Sequence, residues 1–317
     1  MMKILITGGA GFIGSNLAEK LSSQAEIFIV DDLSMGKKEN LRNVDNVVFY
    51  EESVLNKDFM KRLLNRENFD YIFHLAAVAS VADSVKRPQE THEVNFMSTL
   101  IILEILRKMS NRNLKKFVFS SSAAVYGDDK ILPKKENSNI QPLSPYAIDK
   151  FASEKYVLTY NNLYDIPTTA VRFFNVFGPN QNPTSPYSGV ISIILDKFKK
   201  NLNGEMTKFS LFGDGKQTRD FIYIDDVINA LWIVAISDST FGKTFNVGTG
   251  NETSINDILI IISKFLKMEL NIERMEERDG DIRNSVADIN ELEKLGFVCS
   301  YTIETGLKNY LMKLKLV

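Results

Sequence analysis

In Lys3-Ile4-Leu5-Ile6-Thr7-Gly8-Gly9-Ala10-Gly11-Phe12-Ile13-Gly14, an apolar run turns directly into glycines at positions 8, 11 and 14. The run Lys3–Thr7 reads as a buried strand, and the amphipathic segment Ile13–Ser22 that follows reads as a helix. Glycine at 8 and 11 lets the backbone turn tightly and approach a pyrophosphate, while Gly14 lets the helix pack close to the strand. The free N–H groups and positive dipole end of that helix would face the phosphates.

Further along, a second strand, Glu26–Val30, ends in Asp31-Asp32. That is the distance at which an acid meets the adenosine ribose of a dinucleotide. Asp31 would accept hydrogen bonds from the ribose hydroxyls and repel a 2′-phosphate, which favours NAD over NADP.

The alternation continues. Strands are expected at Val47–Tyr50, Tyr71–His74, Lys116–Ser120 and Thr168–Phe173, with helices at Lys57–Arg66, Pro88–Lys108 and Tyr146–Tyr164. Such a chain makes an α/β fold, a doubly wound parallel sheet with helices on both faces. After Phe174 the character changes, and Pro179, Pro183 and Pro186 crowd an irregular polar loop. Thr244–Gly248 reads as one more buried strand, and Ser254–Leu266 as a helix capped by Ser254 with Asp257 three residues on. The expected division is a dinucleotide domain over 1–174 and about 221–250, with a smaller α/β domain over 175–220 and 251–317.

Composition narrows the class. The 317 residues are 44% hydrophobic and 25% charged, ordinary for a globular protein. The net charge of −2 and the lack of a basic run argue against a nucleic-acid partner. One Cys (Cys299) and two His (His74, His92) cannot build a structural zinc site or an internal disulfide, so no metal is expected and a reducing, cytoplasmic setting is. No apolar stretch has the length of a membrane helix.

The strand Lys116–Ser120 leads into Ser120-Ser121-Ser122-Ala123-Ala124-Val125-Tyr126-Gly127, and Ser144-Pro145-Tyr146-Ala147-Ile148-Asp149-Lys150 follows. Hydroxyls at the carboxyl end of a parallel strand face the ligand crevice. Proline fits a helix start, and the i,i+4 spacing puts Tyr146 and Lys150 on one face. A Lys ammonium beside a phenol is expected to lower its pKa, making Tyr146 a base for a substrate hydroxyl. Tyr126 and Lys130 share that spacing, but a Gly-Asp-Asp turn separates them.

TGGAGFIG, HLAA (74–77), SSSAAVYG, SPYAIDK, RFFNVFGP (172–179) and RDFIYIDD (219–226) occur in this order. Together they resemble the extended short-chain dehydrogenase/reductase family along essentially the whole chain, and within it the nucleotide-sugar 4-epimerases acting on UDP-hexoses. The resemblance implies a Rossmann domain holding NAD and a smaller C-terminal part holding a UDP-sugar. It implies NAD contacts from Gly8, Gly11, Phe12, Ile13 and Gly14, from Asp31, Asp32 and Ser34, and from Ser53 and Val54 on the adenine side. Leu75, Ala76, Ala77, Asn95, Ser120, Tyr146, Lys150 and Phe173 are implied around the rest of the cofactor. Ser122, Tyr146 and Lys150 correspond to the catalytic set. On the sugar-nucleotide side the resemblance implies Ser122, Ala123, Tyr146, Asn175, Gly189 and Val190. It adds Phe212 beside uracil, Arg219 and Arg278 on the diphosphate, Asp281 on the uridine ribose, and Ser285 as a gate at the sugar. A homodimer is implied in the same way.

Two departures stand out: Ser53 replaces an acid on the adenine side, and Ala79 replaces a lysine directed at the cofactor phosphates. Related dehydratases and decarboxylases carry an Asp or Glu just after the active-site hydroxyl; here Ala123 and Ala124 stand there. That favours oxidation and re-reduction alone. Small Ser285 resembles enzymes open to N-acetylated hexoses, as does Pro186-Tyr187-Ser188-Gly189-Val190, so UDP-GlcNAc/UDP-GalNAc is expected, with UDP-Glc/UDP-Gal as further substrates. Alternatives on the same scaffold are a uronate epimerase, a 4,6-dehydratase, a reductase, and a non-catalytic NAD-binding sensor.

Overall fold

The fold is described from a computed structural model, which covers residues 1–110, 112–183, 189–277 and 282–317. Its centre is a seven-stranded, wholly parallel sheet. The strands are β1 (Met2–Thr7), β2 (Ala25–Asp31), β3 (Val47–Glu51), β4 (Tyr71–His74), β5 (Lys116–Ser122), β6 (Thr168–Phe173) and, from much later in the chain, Thr244–Val247. Spatial order runs β3-β2-β1-β4-β5-β6 and ends on Thr244–Val247, which pairs with β6. The order reverses between β1 and β4, and in open α/β sheets ligands bind at the carboxyl ends of the strands at such a reversal.

Alternation along the strands assigns the two faces. Ile4, Ile6, Ile27, Ile29, Phe73 and Val118 pack on one side against Leu17, Ala18 and Leu21 of α1 (Phe12–Leu21). Leu5, Phe28, Ile72, Phe117 and Phe119 pack on the other against α2 (Lys57–Glu67), where Leu63 and Leu64 are buried. Next on that side come two short helices, α3 (Val81–Lys86) and α4 (Pro88–His92), then α5 (Ser98–Lys108) and α6 (Pro145–Tyr164). Ile102 and Leu106 of α5 and Val157 of α6 complete this second core. The expected single helix over 88–108 is thus interrupted: Glu93–Met97 forms a π-helical turn. Helix α3 was not foreseen.

The chain then leaves the sheet. Strand β7 (Asn175–Phe177) pairs with a later segment, Phe221–Tyr223. Helix α7 (Val190–Leu202) leads to β8 (Lys208–Phe212), β9 (Thr218–Arg219) and β10 (Phe221–Tyr223). Helix α8 (Ile224–Ile236) packs Val227, Leu231 and Val234 into the first core, and β11 (Thr244–Val247) closes the sheet. Beyond it lie β12 (Thr253–Ser254), α9 (Ile255–Leu266), β13 (Asn271–Met275), α10 (Asn290–Glu293) and α11 (Ile303–Lys313). Helix α9 carries the expected capping box: Ser254 Oγ accepts from Asp257 N, and the Asp257 carboxylate accepts from Ser254 N. The pairing of β13 with β8 was not anticipated; every residue of β13 is exposed, so it shows no apolar pattern.

Candidate active site

A cavity of about 560 Å³ opens at the carboxyl ends of β1, β2, β4, β5 and β6. The glycine turn forms its floor. A Cβ on Gly8, whose φ is +69°, would lie 2.7 Å from Ala76 N, and one on Gly14 would run into the Gly8 carbonyl and lie 2.7 Å from Gly9 Cα. Gly11 caps α1 with no side-chain acceptor, so the first N–H groups of the helix are left to a ligand.

Asp31 closes the β2 side. Its Oδ2 accepts from Ala10 N at 2.9 Å and its Oδ1 from Leu33 N at 2.8 Å, leaving a second lone pair on each oxygen for ribose hydroxyls. Burial pushes its carboxyl above the ordinary aspartate value, against the pull of those N–H donors. Asp32 Oδ1 receives Ser34 N and Ser34 Oγ, which fixes the loop beyond. The cradle, the free helix N-terminus and the buried carboxylate fit a dinucleotide.

Further along the cavity, β5 and α6 bring the catalytic candidates together. Ser144 caps α6 by accepting from Ala147 N at 3.2 Å, and Pro145 occupies the first turn. Tyr146 then lies near the Ser122 hydroxyl at the end of β5, on the same cavity wall. Lys150, 2% exposed, donates to the Ser120 carbonyl at 2.7 Å and approaches Ser120 Oγ at 3.4 Å. Burial pushes the Lys150 ammonium down to about 7. The Tyr146 phenol, expected to be depressed by that lysine, is instead raised above its ordinary value. Burial outweighs the pull of the nearby Ser122 hydroxyl, and the Lys150 amine is turned toward Ser120. His74 lies beneath, bridging Thr7 Oγ1 (2.7 Å) and Thr99 Oγ1 (3.1 Å); burial and the Lys150 charge push it down to about 3, so it is neutral. Tyr126 is buried, with Lys130 exposed, and it takes no part in the cavity lining.

The cavity lining includes Gly8, Gly11, Phe12, Ile13, Gly14, Asp31, Asp32, Ser34, Val54, Leu75, Ala76, Ala77, Ser120, Ser122, Tyr146, Lys150, Phe173, Asn175 and Gly189. Other sequence candidates lie elsewhere. Asn95 is 1% exposed and its amide is spent on Val78, accepting from Val78 N at 2.8 Å and donating to Val78 O at 3.2 Å. Ser53 turns its hydroxyl to Leu55 N, and the neighbouring Glu52 lines the cavity instead. Ala123, Val190, Phe212, Arg219 and Ser285 are outside the lining. Phe212 ends β8 opposite Met275 of β13, and Arg219 donates to the Thr218 carbonyl at 2.8 Å. Arg278 and Asp281, with Pro186, Tyr187 and Ser188, fall outside the described residues.

The sequence reading missed a loop as well. Lys37 N and Asn40 Nδ2 both donate to the Ala10 carbonyl, at 3.0 and 2.9 Å, folding Met35–Asn40 over the glycine turn. The available signal was Gly36-Lys37, five residues beyond the acidic strand end at Asp31: a Cβ at Gly36 would lie 2.7 Å from Ala10 C. Among the described residues no group of side chains could hold a metal ion, and no helix is long and apolar enough to cross a membrane.

A sequence model of the NAD dependent epimerase/dehydratase family matches residues 4–248. The UDP-glucose 4-epimerase of Mycolicibacterium smegmatis is 37% identical over 311 residues, 96% of each chain. The structure of UDP-N-acetylglucosamine 4-epimerase from Methanobrevibacter ruminantium, in complex with UDP-N-acetylmuramic acid, is 38% identical. It superposes with a TM-score of 0.88 over 98% of this chain and 96% of that one. The UDP-glucose 4-epimerase of Thermotoga maritima, solved with UDP-glucose, is 35% identical with a TM-score of 0.91 over 99% of both.

Proposed function

The chain belongs to the NAD dependent epimerase/dehydratase family, and from that premise we propose that it is a 4-epimerase of UDP-hexoses, with NAD as its cofactor. The observation that carries the reading is the convergence of Ser122, Tyr146 and Lys150 on one cavity wall, with Ala123 and Ala124 following Ser122 where a carboxylate would serve elimination.

The residues divide the work. Gly8, Gly11 and Gly14 admit the pyrophosphate, Asp31 takes the adenosine ribose, and Lys150 turns its donors from Ser120 to the nicotinamide ribose. NAD, when bound, would supply the hydride acceptor and donor and a positively charged ring. Tyr146 Oη then takes the proton from the sugar C4 hydroxyl and later gives it back, while Ser122 holds the same sugar oxygen. Epimerisation needs both faces of the 4-keto sugar presented in turn. The nucleotide end must therefore be held firmly and the hexose loosely. We assign the firm end to Phe212, Arg219, Arg278 and Asp281, with Asn175, Gly189 and Val190 beside the sugar.

Ser285 supports an open sugar pocket, so UDP-GlcNAc and UDP-GalNAc are the proposed pair, with UDP-Glc and UDP-Gal also turned over. Exposed Val81, Val85, Met97, Ile148 and Tyr156 lie on α3, the π-helical turn and α6, which pack together; they support a homodimer through that side. The test is proton NMR of the purified protein with UDP-GlcNAc and, separately, UDP-Glc. A UDP-GalNAc anomeric signal is expected. Conversion of UDP-Glc alone would overturn the substrate choice, and inertness toward both, with NAD supplied, would overturn the function.

A further inference from the structure

Helix α6 is joined to β5 by three contacts in succession. Tyr146 lies beside Ser122, Lys150 donates to Ser120, and one turn further Glu154 accepts from Ser121 Oγ at 2.7 Å. Glu154 is fully buried and paired with an equally hidden cation. Arg172 of β6 donates to it through Nε at 2.9 Å and Nη2 at 2.5 Å. The same guanidinium donates through Nη1 to Tyr126 Oη at 2.8 Å and to the Glu136 carbonyl at 2.9 Å. Tyr126, 1% exposed, donates in turn to Asn246 Oδ1 on β11 at 2.6 Å. Asn246 Nδ2 reaches the carbonyls of Lys134 (2.8 Å) and Asp288 (3.1 Å). Lys134 is bonded to both sides of Ala287, from its N–H to the Val286 carbonyl and from its carbonyl to Asp288 N. The polar chain therefore runs without a break from the catalytic helix to the segment that follows Ser285.

Nothing in this relay touches the cavity except Ser121. A buried ion pair seldom adds net stability over apolar residues of the same size, so stability alone is a weak reason for it. Its geometry serves a different end. The bidentate grip fixes α6 against β5 and β6, and the Tyr126 hydroxyl passes that constraint to the sugar-side segment. We propose that Tyr126, Arg172 and Glu154 are positioning residues, which set the Tyr146–Ser122 contact and tie it to the seating of residues 286–288. The inference rests on the reading of Tyr146 as the base.

Truncating Arg172 or Glu154 alone would strand a buried charge and risks misfolding. Tyr126→Phe removes one hydroxyl and keeps the ring. In the NAD-loaded protein this variant is expected to lose about tenfold in kcat with KM nearly unchanged, because the base is misplaced while binding is spared. A second readout needs no turnover. With ¹³C-labelled tyrosine, the Tyr146 resonance, assigned by its loss in Tyr146→Phe, is expected to titrate at higher pH in Tyr126→Phe, since a looser Ser122 contact stabilises phenolate less. A paired Arg172→Met/Glu154→Met variant, apolar and folded, should show the same two changes. Unaltered kcat and titration, or a lower melting temperature alone, would reduce the relay to a structural role and overturn the proposal. So would a rise in KM at constant kcat. If the wild-type protein epimerises neither sugar, the functional reading fails and the titration decides the positioning role on its own.

Discussion

Tyr146 has a pKa held above the ordinary phenol value by burial, so on its own it is a weak base near neutrality. In the proposed mechanism the positive charge favouring phenolate would be that of NAD and of Lys150, whose ammonium is itself pushed down to about 7. Tyr146→Phe is accordingly expected to lower turnover by several orders of magnitude while NAD stays bound; cofactor fluorescence and an epimerisation assay on one sample check both halves. That Ser122, Tyr146 and Lys150 meet on one cavity wall was readable from their types and spacing, a hydroxyl at a strand end and a phenol four residues before an amine. The direction of the phenol shift was not, because desolvation depends on neighbours that no spacing encodes. Ser285 is the other single position on which the proposed substrate choice turns. Ser285→Tyr should suppress conversion of UDP-GlcNAc and spare UDP-Glc. Parallel rate measurements test it, and equal losses would count against a gate.

At the level of elements, the six strands of the first half were legible because a parallel strand buried on both faces is a continuous apolar run. The π-helical turn at Glu93–Met97 was hidden, since its residues keep a helical pattern and only the hydrogen bonds reveal the extra residue. The capping box at α9 was legible because it is local. Ser254→Ala should lower stability by about 1 kcal/mol, read from denaturant unfolding, and leave NAD binding intact. His74 joins three elements, linking Thr7 of β1 and Thr99 of α5 to its own strand β4. The unfolded chain takes up the imidazole proton near pH 6.5 and the folded chain only near 3. Stability is therefore complete above pH 6.5 and declines as pH falls, at up to about 1.4 kcal/mol per pH unit. His74→Asn, which can still serve both threonine hydroxyls, should flatten the dependence between pH 6.5 and 4.5 in urea titrations.

Across the whole molecule, the seventh strand was expected from Thr244–Gly248, and its neighbour β6 follows from the right-handed crossover rule. The smaller pairs, β7 with β10 and β8 with β13, were not legible: β7 and β10 have three residues each, and β13 is exposed throughout, so the alternation of β8 has no partner pattern to match. Closure of the sheet by β11 has a consequence for how the molecule comes into being. Lys116, 1% exposed at the start of β5, donates to the Ser237 carbonyl and Thr240 Oγ1, both at 2.8 Å, and those acceptors lie more than a hundred residues downstream. Tyr126 likewise waits for Asn246. A nascent chain that has emerged only as far as Phe174 has every glycine of the nucleotide turn and the three proposed catalytic residues, Ser122, Tyr146 and Lys150. It still leaves the outer edge of β6 open and these buried polar groups without partners. A fragment ending at Phe174 is therefore expected to retain no NAD on gel filtration, and cooperative folding of the nascent chain should wait until Asn246 and Val247 have been made.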